Sequence, residues 1–488
     1  MSEAPWFERL TALDATFLHL EDRAAHMHVG GLVLLEGAAP TYREVLALIE
    51  SRLHLVPRYR QRLMSVPFQA GRPIWVDEAQ FDLEYHVRHT ALPAPGGLDQ
   101  LKKLAGRLLS QALDRDKPLW ELWFVEGLGP GKFALLSKTH HAMVDGISGV
   151  DIATVLLDTE PLHDPPPPPQ PWKARPAPTN AQVFGDSMKQ QLTHPFSVLR
   201  QVLEPGSDAR KLLGEVAYGL KPLVGLAQLG SAPESSLNVP IGPHRRLETA
   251  RLSFGDVKSV RQKLGGTVND VILAVMAGAL RRLLLARGEV PADLRAMIPV
   301  SVRSADQRGS LGNQVTAVFC PLPIGDPAPR SRLEKVRESM KGLKESKQAV
   351  GALALSRLGD FAPPTLAAQA ARLQSRTRFF NLVITNVPGP QFPLYLLGRR
   401  MLECYPVVPL AAGQTIGIAL LSYDGFIDVG LLGDSDAVKD LALLAEGVPE
   451  ALAELLALAQ ATGEPAEKSP KVQAPATAEP VAQVSTTQ

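Results

Sequence analysis

Residues Pro165–Pro169 are five consecutive prolines, and the proline-rich stretch they open runs on to Pro178. Proline fixes φ and lacks an N–H, so such a run cannot lie inside a helix or a central strand. It reads as extended polyproline, a semi-rigid connector, in preference to a ligand for a proline-binding module. The chain is thereby cut into two parts that must fold on either side of it. At 488 residues it also exceeds what one compact core holds.

Both parts alternate between strand and helix patterns. Residues 28–35 read as a buried strand, and Thr41 with Glu44 makes a capping box for a helix carrying Leu46, Ile49 and Leu53. Leu101, Leu104 and Leu108, with Ala105 and Ala112, form a second helical stripe. Residues 119–126 and 132–139 read as a hairpin closed by the glycine-rich turn 127–131, whose spacing is not that of a phosphate loop. Residues 147–157 continue as a helix. After the connector, residues 181–229 are amphipathic with helical spacing at Leu212, Val216 and Leu220; packing is the default role and membrane docking the alternative. Strands then follow at 248–254, 296–303, 316–322, 381–385, 415–423 and 427–432, with a helix through Val271, Val275, Ala279 and Leu283 and a last helix from Ala437. Residues 461–488 are polar and poor in large apolar groups, which predicts disorder. The division expected is an N-terminal half 1–160, a linker 161–242, a C-terminal half 243–460 and a tail 461–488.

Composition narrows the function classes. A formal net charge of +1 gives no global field for nucleic acid, and 45% hydrophobic with 21% charged residues is ordinary globular content. The two cysteines, Cys320 and Cys404, sit in apolar strand-like surroundings and read as small core residues in a reducing cytosol. No secretory signal and no apolar run of about 18 residues is visible. If the chain handles membrane lipids, it visits the bilayer from outside.

The chemistry concentrates in His140-His141-Ala142-Met143-Val144-Asp145-Gly146, directly after the strand pattern 133–139. An imidazole at a strand end suits proton transfer near neutral pH, and Gly146 permits a sharp turn. Adjacent histidines on one strand point to opposite faces, and no other spaced ligand set accompanies them, so no metal is expected. A structural histidine pair is the bland alternative.

The pattern His-His-x-x-x-Asp-Gly resembles the signature of the CoA-dependent acyltransferase superfamily. Residues 10–21 resemble the opening of its wax ester synthase/diacylglycerol acyltransferase branch. Pro118-Leu119-Trp120 followed by Glu121, Asn269-Asp270 within 267–271, 299–303 ending in Arg303, Asn313 and 386–389 resemble further blocks of that family in its order. The Asp-Phe-Gly-Trp-Gly segment of plant alcohol acyltransferases is absent.

The resemblance implies an α/β fold of two chloramphenicol acetyltransferase-like domains, each a mixed sheet with flanking helices, and an active-site tunnel at their interface. It implies acyl transfer from acyl-CoA to diacylglycerol, a long-chain alcohol, or both, yielding triacylglycerol or wax ester. His141 is then the general base and His140 its support. Asp145 either orients His141 or, as the superfamily suggests, forms a structural ion pair, with Arg303 a candidate partner. Asn269 is a candidate oxyanion donor, while a helix N-terminus accounts for Asp270 without function. Gly146, Pro118, Leu119 and Trp120 are structural, shaping the turn and the tunnel or core. Arg245 and Arg246 are candidate CoA contacts or a solvated basic pair.

Acyl-CoA is a substrate here, and no metal or other cofactor is implied. The expected place is the cytoplasm, in peripheral contact with the inner membrane face or lipid bodies, with no nucleic-acid partner. A condensation-type acyltransferase using carrier-bound substrates and a non-catalytic lipid-binding protein are the rival readings.

Overall fold

The computed structural model describes residues 7–143, 155–161, 165–189, 230–301, 315–345 and 378–461. In the first half the elements run β1 (Glu8–Arg9), α1 (Ala12–Leu20), β2 (His28–Glu36), α2 (Tyr42–Arg52), β3 (Gln61–Met64), β4 (Ile74–Asp77), α3 (Leu83–His86), β5 (Val87–Ala91), α4 (Leu98–Leu109), β6 (Trp120–Glu126) and β7 (Lys132–His140). The second half runs β8 (Arg245–Ser253), α5 (Phe254–Leu264), α6 (Val268–Ala286), β9 (Leu294–Ser301), β10 (Val315–Leu322), α7 (Pro329–Glu345), β11 (Leu382–Pro388) and β12 (Tyr395–Leu396). It closes with β13 (Arg399–Val407), β14 (Ile416–Tyr423), β15 (Phe426–Asp434) and α8 (Leu441–Ala461).

Two six-stranded mixed sheets carry the fold. The first has the order β12-β13-β2-β7-β6-β5, the second β10-β9-β11-β14-β15-β8. A small antiparallel sheet, β1-β4-β3, lies beside the first. The hairpin read from the sequence is β6–β7, and the capping box of α2 forms as expected, Thr41 accepting from Glu44 while Glu44 reaches back to the Thr41 N–H. The buried face of α2 is Val45, Leu48 and Ile49, so Leu46 sits at its margin, and Ala112 lies past the end of α4. Helix α6 is apolar all round because it is enclosed: every residue from Asp270 to Leu280 is buried behind the second sheet.

Strand β13 leaves the second half and completes the first sheet. It runs antiparallel to β2, from Met401 opposite Leu35 to Val407 opposite Gly30. Residues expected within the C-terminal half thus belong by hydrogen bonding to the N-terminal sheet. The crossover brings backbone close to backbone, since a Cβ on Gly430 of β15 would stand 1.9 Å from Pro406 O, so only glycine fits there. Buried Asp428 fastens the joint, accepting from Cys404 N at 2.8 Å and pairing with Arg251 Nε at 3.0 Å. Helix α4 forms a second joint. A Cβ on Gly106 would meet Arg245 O at 2.6 Å, and Lys102 reaches Glu248 at 2.6 Å.

Residues 165–178 carry neither helix nor strand, as proline requires. They are more than a spacer, because the chain is fastened to the first half. Arg175 binds the Asp77 carboxylate through its backbone N–H and its guanidinium, each at 3.0 Å, and Trp172 lies under Arg60. Burial favours neutral Asp77, but Arg175 outweighs it and holds the carboxyl down to about 2. Residues 180–189 are helical. The helical readings at 190–229 and for most of 147–157, and the disorder expected at 462–488, fall outside the described residues. Neither cysteine is in a disulfide; Cys320 lies in the second core and Cys404 is half-buried on β13.

Candidate active site

Strand β7 delivers the histidine pair to the end of the first sheet. All its residues after Lys132 are buried, and it pairs with β2 so that His140 stands opposite His28. The strand then breaks into a single turn of 3-10 helix, His141–Met143. Three backbone bonds set this turn: His140 N donates to Leu119 O at 2.9 Å, His141 N to Met27 O at 2.8 Å, and Ala142 N to His140 Nδ1 at 3.1 Å.

The two rings have different neighbours. His140 turns inward beside His28 and Glu21. His141 lies against Phe17 of α1, ring centroids 3.9 Å apart and planes within 17°. Its Nδ1 is buried and makes no hydrogen bond to another residue. Burial pushes the His141 ring down to about 4; a contact with its own backbone carbonyl works against this, and His140 adds to the lowering. The imidazole is therefore neutral at physiological pH, the state a general base needs.

Behind the turn lies a cluster the sequence reading did not assign. Glu21 Oε2 is 3.6 Å from His140 Nε2, while Glu21 Oε1 is 3.6 Å from His28 Nε2 and 3.8 Å from His26 Nδ1. Burial alone would favour the protonated carboxyl, but His140 and the Arg115 guanidinium outweigh it and hold Glu21 at about 2. Burial drives His28 well below its ordinary value, and nearby Lys138 adds to the effect. Lys138 is itself buried, bonded to Leu108 O at 3.2 Å and Gln111 O at 3.1 Å and paired with Glu121 at 3.0 Å. A signal was present in the sequence: Lys138 and His140 alternate on one strand face, a polar stripe where an apolar one belongs.

Pro118-Leu119-Trp120 leads into the neighbouring strand β6, which begins at Trp120, opposite Thr139. Leu119 and Trp120 are fully buried. Trp120 Nε1 donates to Tyr59 O at 2.8 Å, and its indole stacks on His86 with centroids 4.7 Å apart. The motif is thus core scaffolding that supplies the Leu119 carbonyl to the histidine turn.

Asn269 and Asp270 open α6. Asp270 completes a capping box with Thr267, its N–H donating to Thr267 Oγ1 at 3.2 Å while its carboxylate accepts from Thr267 N at 2.8 Å. That accounts for the acid. Asn269 Oδ1 accepts from Asn386 Nδ2 at 3.3 Å, so the Asn-Asp block and the 386–389 block meet. Arg245 corrects an expectation. It is buried, 3.5 Å from Asp434, and bonded to Gly242 O and Ala24 O, so it joins the two halves and is not part of a solvated basic pair. Arg246 is half-buried. Asp145, Gly146, Arg303 and Asn313 lie outside the described residues. Among the described residues no cluster of His, Cys, Asp and Glu is arranged to hold a metal.

Residues 10–272 match the wax ester synthase/diacylglycerol acyltransferase catalytic domain, and residues 311–456 the C-terminal domain of the same family. A Mycobacterium tuberculosis protein described as a probable diacylglycerol O-acyltransferase is 36% identical over 464 residues, covering 92% of this chain and 96% of that one. The solved wax ester synthase/diacylglycerol acyltransferase of Marinobacter aquaeolei VT8 superposes with a TM-score of 0.65 at 28% identity, over 93% of this chain and 100% of that one. The starter condensation domain of rhizomide synthetase shares the fold alone, with a TM-score of 0.55 at 13% identity over 94% of this chain and 96% of that one. The motifs, the two mixed sheets and these matches agree: the chain belongs to the wax ester synthase/diacylglycerol acyltransferase family.

Proposed function

We propose that this protein transfers a long-chain acyl group from acyl-CoA to the hydroxyl of diacylglycerol, of a long-chain alcohol, or of both, with His141 as general base. The observation that carries the mechanism is the seat of His141: a neutral imidazole at the end of β7, stacked on Phe17 and freed from the ion cluster that occupies His140. His141 takes the hydroxyl proton as the oxygen attacks the thioester carbonyl. The tetrahedral intermediate then collapses, and the same ring returns the proton to the departing CoA thiolate. Such a base is worth ~10²–10⁴-fold in rate.

Transfer is direct, within a ternary complex. The sequence around Ser148 lacks the Gly-x-Ser-x-Gly spacing of a nucleophile elbow, so no acyl-enzyme is assigned. Asn269 donates to the developing oxyanion; its carbonyl oxygen is already engaged by Asn386, which turns the amide N–H groups toward other acceptors. A water-free tunnel between the halves takes the acyl chain, gaining roughly 0.8 kcal/mol per CH₂ buried. Among the described residues no helix is long and apolar enough to cross a membrane. The enzyme meets its lipid substrates peripherally, at the cytoplasmic membrane face or on lipid bodies, and acyl-CoA serves as substrate with no added cofactor.

The test is product analysis with purified protein and labelled palmitoyl-CoA, offering diacylglycerol and hexadecanol separately. Labelled triacylglycerol, wax ester or both supports the proposal, and their ratio identifies the preferred acceptor. CoA release at background with both alcohols, from folded protein, overturns it.

A further inference from the structure

The contact between α1 and the histidine turn extends the mechanism to residues with no chemistry of their own. Helix α1 is held at both ends. Thr11 caps its N-terminus by accepting from Asp14 N at 3.1 Å, and Arg115 donates to Leu18 O at 3.1 Å in its last turn. The same guanidinium grips Glu21, the residue that ends the helix, through Nε at 3.1 Å and through Nη2. Glu21 in turn faces His140 and His28, one on each of the two strands that carry the turn. The chain then folds straight back, with Asp22 Oδ1 accepting from Ala24 N and Ala25 N, and Met27 O receives the His141 N–H. A helix fixed so firmly presents one aromatic face, Phe17, flat against His141 at 3.9 Å.

We propose that Phe17 is a positioning residue for His141: its ring fixes the plane of the imidazole and keeps water off one face, and the Glu21–Arg115 clasp holds it there. The inference rests on the reading of His141 as the base. A face-to-face ring contact leaves the imidazole edge free to meet the acceptor hydroxyl while blocking rotation about the ring's own bond. It also explains the low basicity of the ring, whose largest cause is burial. Around the turn the described titratable groups include His140 and Lys138 on β7, His28 at the start of β2 with His26 just before it, Glu21 at the end of α1 and Arg115 beside it. Of these, His140 lowers the His141 value further. Phe17 carries no charge, so its effect is exclusion of water.

The test compares Phe17→Leu, which keeps apolar bulk, with Phe17→Tyr, which keeps the ring. The His141 ring is titrated by NMR in the full chain, its signal identified by loss in His141→Gln, alongside the pH dependence of kcat/KM. In Phe17→Leu the titration midpoint is expected to rise by about one pH unit toward the ordinary histidine value, and the acid limb of kcat/KM to move with it. Its kcat is expected to fall on the order of 10-fold with KM for acyl-CoA unchanged, and Phe17→Tyr to restore both. A His141 midpoint and acid limb in Phe17→Leu that match the wild type overturn the role of Phe17. Full activity in His141→Gln instead overturns the base assignment, and the ring titration still reports on Phe17 by itself.

Discussion

The backbone N–H of Ala142 donates to His140 Nδ1 over 3.1 Å, and this bond settles the tautomer of His140. A ring nitrogen that accepts carries no proton, which leaves Nε2, the nitrogen that faces Glu21 at 3.6 Å, to hold the ring proton. The residue shapes the turn that presents His141, and we propose that it takes no part in proton transfer.

That role predicts an unequal response to substitution. His140→Asn places a carboxamide oxygen near the Nδ1 position and should keep much of the activity. His140→Leu leaves the Ala142 N–H buried without an acceptor, costing about 1–3 kcal/mol and on the order of 10–100-fold in kcat. Steady-state kinetics and denaturant unfolding of the two variants check this; equal losses in both would contradict it.

The pH dependence follows from the His141 value of about 4. His141 stays neutral well below the usual histidine range, so with it as the proposed base kcat/KM should hold from pH 7 to about 5.5 and fall only toward the folded value. Stability behaves differently. His26, His28, His86 and His141 are all lowered by burial relative to 6.5. The unfolded chain therefore takes up protons first, and stability present above about pH 6.5 is lost as pH falls toward the folded values. Melting temperature should thus decline between pH 7 and 5 while initial-rate kcat/KM stays level. An acid limb at 6.5 would contradict this.

Asn269 and Asp270 are adjacent but should separate cleanly. Asn269→Ala is expected to lower kcat on the order of 10²-fold with little change in stability. Asp270→Ala removes the acceptor for Thr267 N, costing about 0.5–2 kcal/mol of stability. Urea unfolding alongside kcat for both variants tests the division.

Local signals were legible in the chain, and long-range pairings were not. The capping boxes at Thr41 and Thr267, the β6–β7 hairpin and the α6 helix are each written in a short window of residues. The pairing of β13 with β2 is not, because an alternating apolar pattern specifies a face and not a partner. Arg245 looked like a surface cation because Asp434, its counter-charge, lies far along the chain. Glu21 stands in the block 10–21 that resembles the family's opening, and His28 at the start of a strand pattern. Only the fold brings them to His140.

The role proposed for His141 is tested most directly by kcat for ester formation by His141→Gln against the wild type. With His141 as the base, kcat falls ~10²–10⁴-fold with KM for palmitoyl-CoA little changed and the protein folded by circular dichroism. A kcat within a few-fold of the wild type would contradict it and move the proton transfer to another group.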